Sequence, residues 1–164
     1  MSNPQRWKPS VTVAAIVERE GRYLLVEEET REGLRLNNPA GHLDPLESIE
    51  QGVIREVLEE TACRFTPEAL VGIYLSRFRR ADGEDVTYLR FAFTGTVSEP
   101  EPGRALDAGI IRTLWMTPDE LRASAALHRS PLVLQCMEDH LAGRRFPLEV
   151  LQTHRSLFDP FTPG

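Results

Sequence analysis

Cysteine is scarce in this 164-residue chain, which has only Cys63 and Cys136. Two such cysteines form neither a disulfide framework nor a paired metal-binding motif, so free thiols in a reducing compartment are expected. Long apolar runs are missing too. Stretches such as Val13-Ala14-Ala15-Ile16-Val17 end after a few residues, far short of a membrane span. Met1 to Pro9 lacks the apolar core of a secretory signal, which makes a cytoplasmic location the expectation. Positive charge is in deficit, with 19 Lys and Arg against 25 Asp and Glu and a net charge of −6. That is a poor footprint for nucleic-acid binding, and an anionic substrate would need a metal or local arginines to offset the repulsion. No internal repeat breaks the chain. No Ser-His-Asp or Cys-His arrangement stands out, which argues against covalent catalysis.

What is present is an ordinary globular balance, 41% hydrophobic and 27% charged, which excludes a mostly disordered chain. The length suits one domain, read as residues 1–157 with a loose tail over 158–164. Val11 to Glu18 is apolar on both faces and reads as a central strand. Glu20-Gly21-Arg22 reads as a turn into a returning strand, Tyr23 to Val26, so the chain is expected to open with a hairpin. Glu27 to Arg35 is polar and reads as a loop, and Leu36 to Pro39 as a short edge strand. Ala69–Arg79 and Asp85–Val97 pair across Ala81-Asp82-Gly83-Glu84, and Ile110–Trp115 is a further strand. Thr117-Pro118-Asp119-Glu120 opens a helix, and Pro131–Leu141 forms another, ended by Gly143. The sum is an α+β fold with five or six strands, one central helix and two late helices.

The central helix carries the chemistry. Ser48 and Gln51 fit a capping box, a better start than Asp44-Pro45, and Val53, Ile54, Val57 and Leu58 recur at helical spacing as far as Thr61. Glu56 and Glu60 then lie one turn apart on the same face, with Glu59 beside them. Three carboxylates in the last turn repel one another and oppose the helix dipole, so an unassisted fold gains nothing from them. A solvated glutamate face is the bland explanation. A hard divalent cation such as Mg²⁺, which takes oxygen ligands and keeps sites for phosphates, is the functional one.

The wider pattern decides between them. Gly41, then Glu47 after five residues, Arg55-Glu56 after seven more, and Glu59-Glu60 follow a fixed spacing. This segment, residues 41–63, resembles the signature box of the Nudix hydrolase family. A looser resemblance to the NudJ-like phosphatase branch extends through Lys8 to Val13, Asn37 to His42, Leu89-Arg90-Phe91, Arg129 to Leu132 and Phe146 to Glu149. The resemblance implies a mixed-sheet α/β/α sandwich carrying the loop-helix-loop of the box. It makes Glu56 and Glu60 metal ligands, and Glu59 a further ligand or the carboxylate that orients water. The Ala40 carbonyl would join the metal shell, and Arg55 and Glu47 would pair to hold the loop against the helix. Mg²⁺ is the implied cofactor, with Mn²⁺ as a substitute. The implied reaction is hydrolysis of a small-molecule diphosphate, such as a nucleoside di- or triphosphate, thiamine pyrophosphate or its pyrimidine pyrophosphate precursor, with release of phosphate. The alternatives are hydrolysis of dinucleoside or sugar-nucleotide diphosphates, and a non-catalytic nucleotide-binding module.

Other candidates are weaker. Glu59 is the first choice for general base, with Glu84, Asp85, Glu99 and Glu101 in loops that would have to swing over the site. Asn37 and Arg90 are candidate substrate contacts, Arg90 by clamping phosphate if strand alternation turns it inward. Arg79 and Arg80 read rather as solvated residues. His42 reads as an exposed loop histidine, and Tyr74, Phe78, Tyr88 and Phe91 either pack or stack a substrate ring. The box departs from the usual pattern at Ala62-Cys63, where glycine and an aliphatic residue are the rule. Either Ala62 takes a left-handed cap or the chain leaves by a relaxed route. Thr61 and Cys63 flank the site and favour the relaxed exit.

Overall fold

Alternation along the first strand, β1 (Ser10–Ile16), decides the layering of the molecule. Val13 and Ala15 face one apolar cluster with Val53 and Val57, while Ile16 faces a second with Val133, Cys136 and Met137. Successive side chains on a strand point to opposite faces, so β1 is covered on both sides, by α1 (Ile49–Thr61) and by α3 (Leu132–Leu141). The computed structural model describes residues 5–160.

Among the described residues, eight strands form two sheets. In the first, the order is β5 (Ala40–His42), β1, β7 (Asp85–Val97), β6 (Phe65–Arg79), with β1 parallel to β7 and the other pairs antiparallel. In the second, β3 (Arg22–Thr30) carries β8 (Ile110–Met116) along one edge. Its other edge is shared by β2 (Glu18–Arg19) and then β4 (Gly33–Asn37). Helix α2 (Pro118–Ala123) adds Leu121 to the α3 side of the core. The α+β sandwich implied by the resemblance is the architecture observed.

The strands differ from expectation in four places. β1 does not form a hairpin with the strand at Tyr23; only Glu18 and Arg19 turn back onto Tyr23 and Arg22. The reason is that β1 is central, with both edges taken by β5 and β7. Glu27 to Arg35 is not a loop but the body of a hairpin, β3 into β4, turning at Arg31-Glu32. Its ladder and local bonds hold it rather than burial: Thr30 Oγ1 donates to the Gly33 carbonyl at 2.7 Å, and Gly33 supplies φ 95°. Pro39 lies outside the edge strand, its carbonyl accepting from Ala15 N–H at 2.9 Å. β6 also starts at Phe65 rather than Ala69, absorbing Pro67 at a register shift.

The helix starts are as the sequence reads. Ser48 caps α1, with Gln51 N–H donating to Ser48 Oγ at 3.1 Å and Ser48 N–H to Gln51 Oε1 at 2.8 Å. Thr117 and Glu120 make the same reciprocal pair before α2. The end of α1 corrects the expectation of a relaxed exit. Ala62 has φ 61° and ψ 10°, a left-handed cap, with its N–H on the Leu58 carbonyl. Glycine is not needed because neighbours fix the turn. Cys63 N–H donates to Thr61 Oγ1 at 3.1 Å, and the Ala62 carbonyl accepts from Glu101 N–H at 2.8 Å. Arg155–Leu157 forms a last 3-10 turn, and residues 158–160 are exposed. The rest of the expected tail, residues 161–164, lies outside the described residues, as do residues 1–4 of the segment read for a secretory signal.

Candidate active site

Helix α1 buries Val53 and Val57 in the core, and its adjoining face presents Arg55, Glu56, Glu59 and Glu60 to the preceding loop. Gly41 makes the close approach possible, since a Cβ there would overlap the Glu56 carboxylate. Gly52 similarly clears space for Leu43 and Glu47. Arg55 ties the segment together. Its Nε and Nη2 donate to the two oxygens of Glu47 at 2.9 and 2.7 Å, and Nη2 also reaches the His42 carbonyl at 3.0 Å. Nη1 donates to Glu56 Oε1 at 2.8 Å and to Glu59 Oε2 at 3.2 Å. Asp44, unremarked as a site residue in the sequence, adds a carboxylate 3.3 Å from Nε.

One guanidinium thus sets four side-chain positions, and the electrostatics follow. The Arg55 hydrogen bonds hold the Glu47 carboxyl below the ordinary range. Burial pushes Glu56 up, with Arg55 opposing it. Glu60 is 6% exposed, and burial, then the Glu56 and Glu28 charges, push it up to about 9. Its partial relief is a backbone hydrogen bond at Ala40 in β5, while Glu60 Oε2 has no partner. Among the described residues no three His, Cys, Asp or Glu groups are already gathered as a cation cage, and Arg55 Nη1 bonds both Glu56 and Glu59. The donor set nonetheless fits a hard cation. It is all oxygen, and it includes a buried carboxylate oxygen that nothing in the protein satisfies.

A cavity of about 210 Å³ borders this face through Ala40, Gly41 and His42. Asn37 and Arg90, the two residues singled out as substrate contacts, both line it and are each 7% exposed. Arg90 Nη1 donates to Asn38 Oδ1 at 3.2 Å. Glu28 and Arg129 line it as well, with Arg129 Nε 3.6 Å from Glu28 Oε1. Sequence reasoning missed both. Glu28 sat in a segment read as a loop, and the alternation Glu28, Val26, Leu24 along β3 was the signal available.

The loop carboxylates considered as bases are engaged elsewhere: Glu84 with Arg80, Asp85 with Arg77 and Arg79, Glu99 with Arg19, Glu101 with Arg64 and Arg104. The loop carboxylate felt by Glu56 and Glu60 is Asp107, whose N–H donates to the Glu59 carbonyl at 2.9 Å. Tyr74 is turned to α3, donating to Asp139 at 2.9 Å, and Phe91 packs on the α1 side. Phe78 and Tyr88 stack at 5.5 Å and 13°, with the His42 ring 5.8 Å from Tyr88, and all three line the cavity.

Known proteins share both the sequence pattern and the architecture. The NUDIX domain family model matches residues 7–136. The phosphatase NudJ of Escherichia coli K12 is 33% identical over 159 residues, 96% of this chain and 98% of that protein. A NUDIX hydrolase from Nitrosomonas europaea is 54% identical, with TM-score 0.83 over 90% of this chain and 98% of that one. The MutT NUDIX hydrolase of Burkholderia pseudomallei, at 23% identity and TM-score 0.66 over 81% of this chain and 98% of that one, shares the fold. The box, the sandwich around α1 and these likenesses together place the chain in the Nudix family, as a hydrolase of pyrophosphate bonds.

Proposed function

We propose that this protein uses Mg²⁺ to hydrolyse a phosphoanhydride bond in a small-molecule diphosphate, giving a monophosphate and orthophosphate. The observation that carries the reading is Glu60. A carboxylate 6% exposed, with one oxygen unpartnered and Glu56 and Glu28 close enough to raise it, asks for a cation. Glu56, Glu59 and Glu60 would hold that cation, with the Ala40 carbonyl as a backbone ligand. A bound Mg²⁺ supplies positive charge at the phosphate oxygens and makes water a usable nucleophile at neutral pH.

The chain's own groups do the rest. Arg55, anchored on Glu47, keeps Glu56 and Glu59 in register with the box loop. Glu59, the more exposed of the three carboxylates, takes the proton of the attacking water. The water oxygen bonds to phosphorus, the bridging P–O bond breaks, and the leaving phosphate carries the electron pair away. Arg90 and Asn37, on the cavity wall, contact the substrate. Nucleoside di- and triphosphates, thiamine pyrophosphate and its pyrimidine pyrophosphate precursor are the substrate class, supported by likeness to the phosphatase NudJ. A cytoplasmic setting belongs to the same proposal, and no helix among the described residues is long and apolar enough to cross a membrane. Phosphate release with and without Mg²⁺ across a nucleotide and thiamine diphosphate panel tests the reading. Metal-independent release, or none from any diphosphate, defeats it.

A further inference from the structure

The cavity beside the carboxylate face carries two arginines in a chain whose net charge is −6. Arg90, on β7, is 7% exposed. Its Nη1 donates to Asn38 Oδ1 at 3.2 Å, and the guanidinium also meets the Cys136 thiol. Two partners leave donors over from the five that a guanidinium carries. No nitrogen of Arg90 is both buried and unpartnered, so the spare donors open on the cavity that Arg90 lines. Arg129 adds a second cation. Its backbone N–H donates to the Leu36 carbonyl at 2.8 Å, which fixes it beside β4, and its Nε lies 3.6 Å from Glu28 Oε1. Glu28 thus answers one of the two positive charges and leaves the other for a ligand. Ser130, also on the wall, accepts from Leu132 N–H at 3.2 Å, which frees its own O–H to donate.

Size and position decide what that ligand is. About 210 Å³ is less than the ~300–1,000 Å³ of ordinary small-molecule pockets, so a nucleoside does not enter together with its phosphates. Phe78 and Tyr88 turn their faces to each other, at 5.5 Å and 13°, and leave no slot for a ring between them. The cavity also continues the carboxylate face. Ala40 and Gly41 line it, a Cβ on Gly41 would overlap the Glu56 carboxylate, and Glu60 feels the Glu28 charge. A phosphate is small, anionic and an acceptor on every side, which suits guanidinium donors next to a metal face. We infer that this cavity holds the terminal phosphate of the substrate, the one released as orthophosphate, between Arg90 and Arg129, while the head group stays at the protein surface. The assignment rests on the diphosphate-hydrolase reading and adds Arg129 to it as a substrate-binding residue. It has two consequences. Head groups are read weakly, because none enters an enclosing wall. Orthophosphate competes with the substrate, because it fits where the terminal phosphate lay.

The test separates the two ends of the substrate. Methyl diphosphate, which has the phosphates and almost no head group, should keep kcat/KM within about tenfold of adenosine diphosphate, because a remote group helps only where the site binds it. Orthophosphate should inhibit competitively, and adenosine and thiamine at the same concentrations should not. Arg129 is half-exposed, so the fold should survive Arg129→Gln. That variant should bind orthophosphate roughly tenfold more weakly, the low end for a charge-assisted hydrogen bond, and should raise KM more than it lowers kcat. Arg129→Lys, which restores the charge without the fork, should recover part of the loss. Phosphorus NMR of orthophosphate with the metal-free protein measures the same binding without turnover. A larger loss with methyl diphosphate, inhibition by adenosine or thiamine but not by orthophosphate, or equal orthophosphate binding in wild type and Arg129→Gln overturns the inference. If no diphosphate is turned over, the hydrolase reading fails by itself, and the orthophosphate titration decides the role of the cavity.

Discussion

The carboxylate face and the neighbouring cavity are built on opposite plans. On the carboxylate face, each side chain comes from the segment 41–63, and Arg55 supplies hydrogen bonds to three of the glutamates. In the cavity, the wall is gathered from β1, β3, β4, β5, β6, β7 and the segment that opens α3, and Thr12 Oγ1 and Asn37 Oδ1 have no hydrogen-bond partner. The first region is largely self-satisfied and holds one exception, Glu60. The second leaves its hydrogen bonding open. A machine that performs one reaction on varied head groups has use for both: a pre-positioned reactive face and a wall whose cost a chosen ligand removes.

The sharpest way to break the comparison is at the metal face. Glu56→Gln and Glu60→Gln keep size and helix propensity but remove a charged oxygen. Losing a partner behind a metal ligand typically costs 10–100-fold, so losing a ligand should cost at least ~100-fold in kcat/KM. The fold should survive in both. Near-normal Mg²⁺-dependent turnover in both variants would show that the cation sits elsewhere. Gly41→Ala should approach the same loss through geometry alone, since its Cβ would occupy the space of the Glu56 carboxylate. Activity intact in Gly41→Ala would mean that Glu56 has another productive position.

Those two regions were unequally legible in the sequence. The carboxylate face is a local object: helical spacing, a capping box and a fixed run of box residues place it within one segment. Glu47 and Arg55 needed only an eight-residue fold-back to meet. Glu28 and Arg129 could not be read that way, because their meeting depends on which strands pair. β1 lies inside the first sheet while β3 leads the second, a division that apolar patterning along the chain does not encode. Polar strands such as Glu27 to Thr30 are held by ladder bonds and so carry little hydrophobic signal.

Arg55→Lys should be next in size. Lysine lacks the planar fork that grips Glu47 at two points while also reaching Glu56, Glu59 and the His42 carbonyl. A fall of ~10–100-fold in kcat/KM is expected, with a stability loss of ~1.5–3 kcal/mol from the charged hydrogen bonds. Unchanged kinetics and melting would reduce Arg55 to a surface residue.

A pH series without metal sharpens the contrast further. Glu60 binds its proton in the folded state up to about 9, against an ordinary value of 4.5. Between those values the folded form holds a proton that the unfolded form has released, so stability falls as pH rises. Burial of Glu56 and Glu28 works in the same direction, and Glu47, held low, works in the opposite one at acid pH. In EDTA, Glu60→Gln should therefore gain on wild type between pH 5 and pH 8.5. Saturating Mg²⁺ should restore the wild type at the alkaline end through binding to the folded state alone. Parallel losses in the two proteins would show that Glu60 is solvated.

The smallest effect lies at the helix end, where Ala62 holds φ 61° without being glycine. Left-handed backbone costs alanine roughly 1–2 kcal/mol, which Ala62→Gly would recover. Two losses oppose that gain. Glycine adds unfolded-state freedom worth about 0.4–1 kcal/mol. Ala62 is also 4% exposed, so its buried methyl, worth roughly 0.8 kcal/mol, would be forfeited. The opposing effects are of equal size, which explains how alanine stands where a glycine would otherwise be expected. Ala62→Gly should accordingly move the denaturant midpoint by no more than the equivalent of about 0.5 kcal/mol, at unchanged slope. A clear rise would mean that the methyl contributes nothing to the core. A fall beyond about 1 kcal/mol would mean that the cap relaxes in solution, out of the left-handed conformation. Activity should stay at the wild-type level in either case, because the Ala62 carbonyl is already committed to Glu101 N–H and its methyl carries no polar atom that could serve as a ligand.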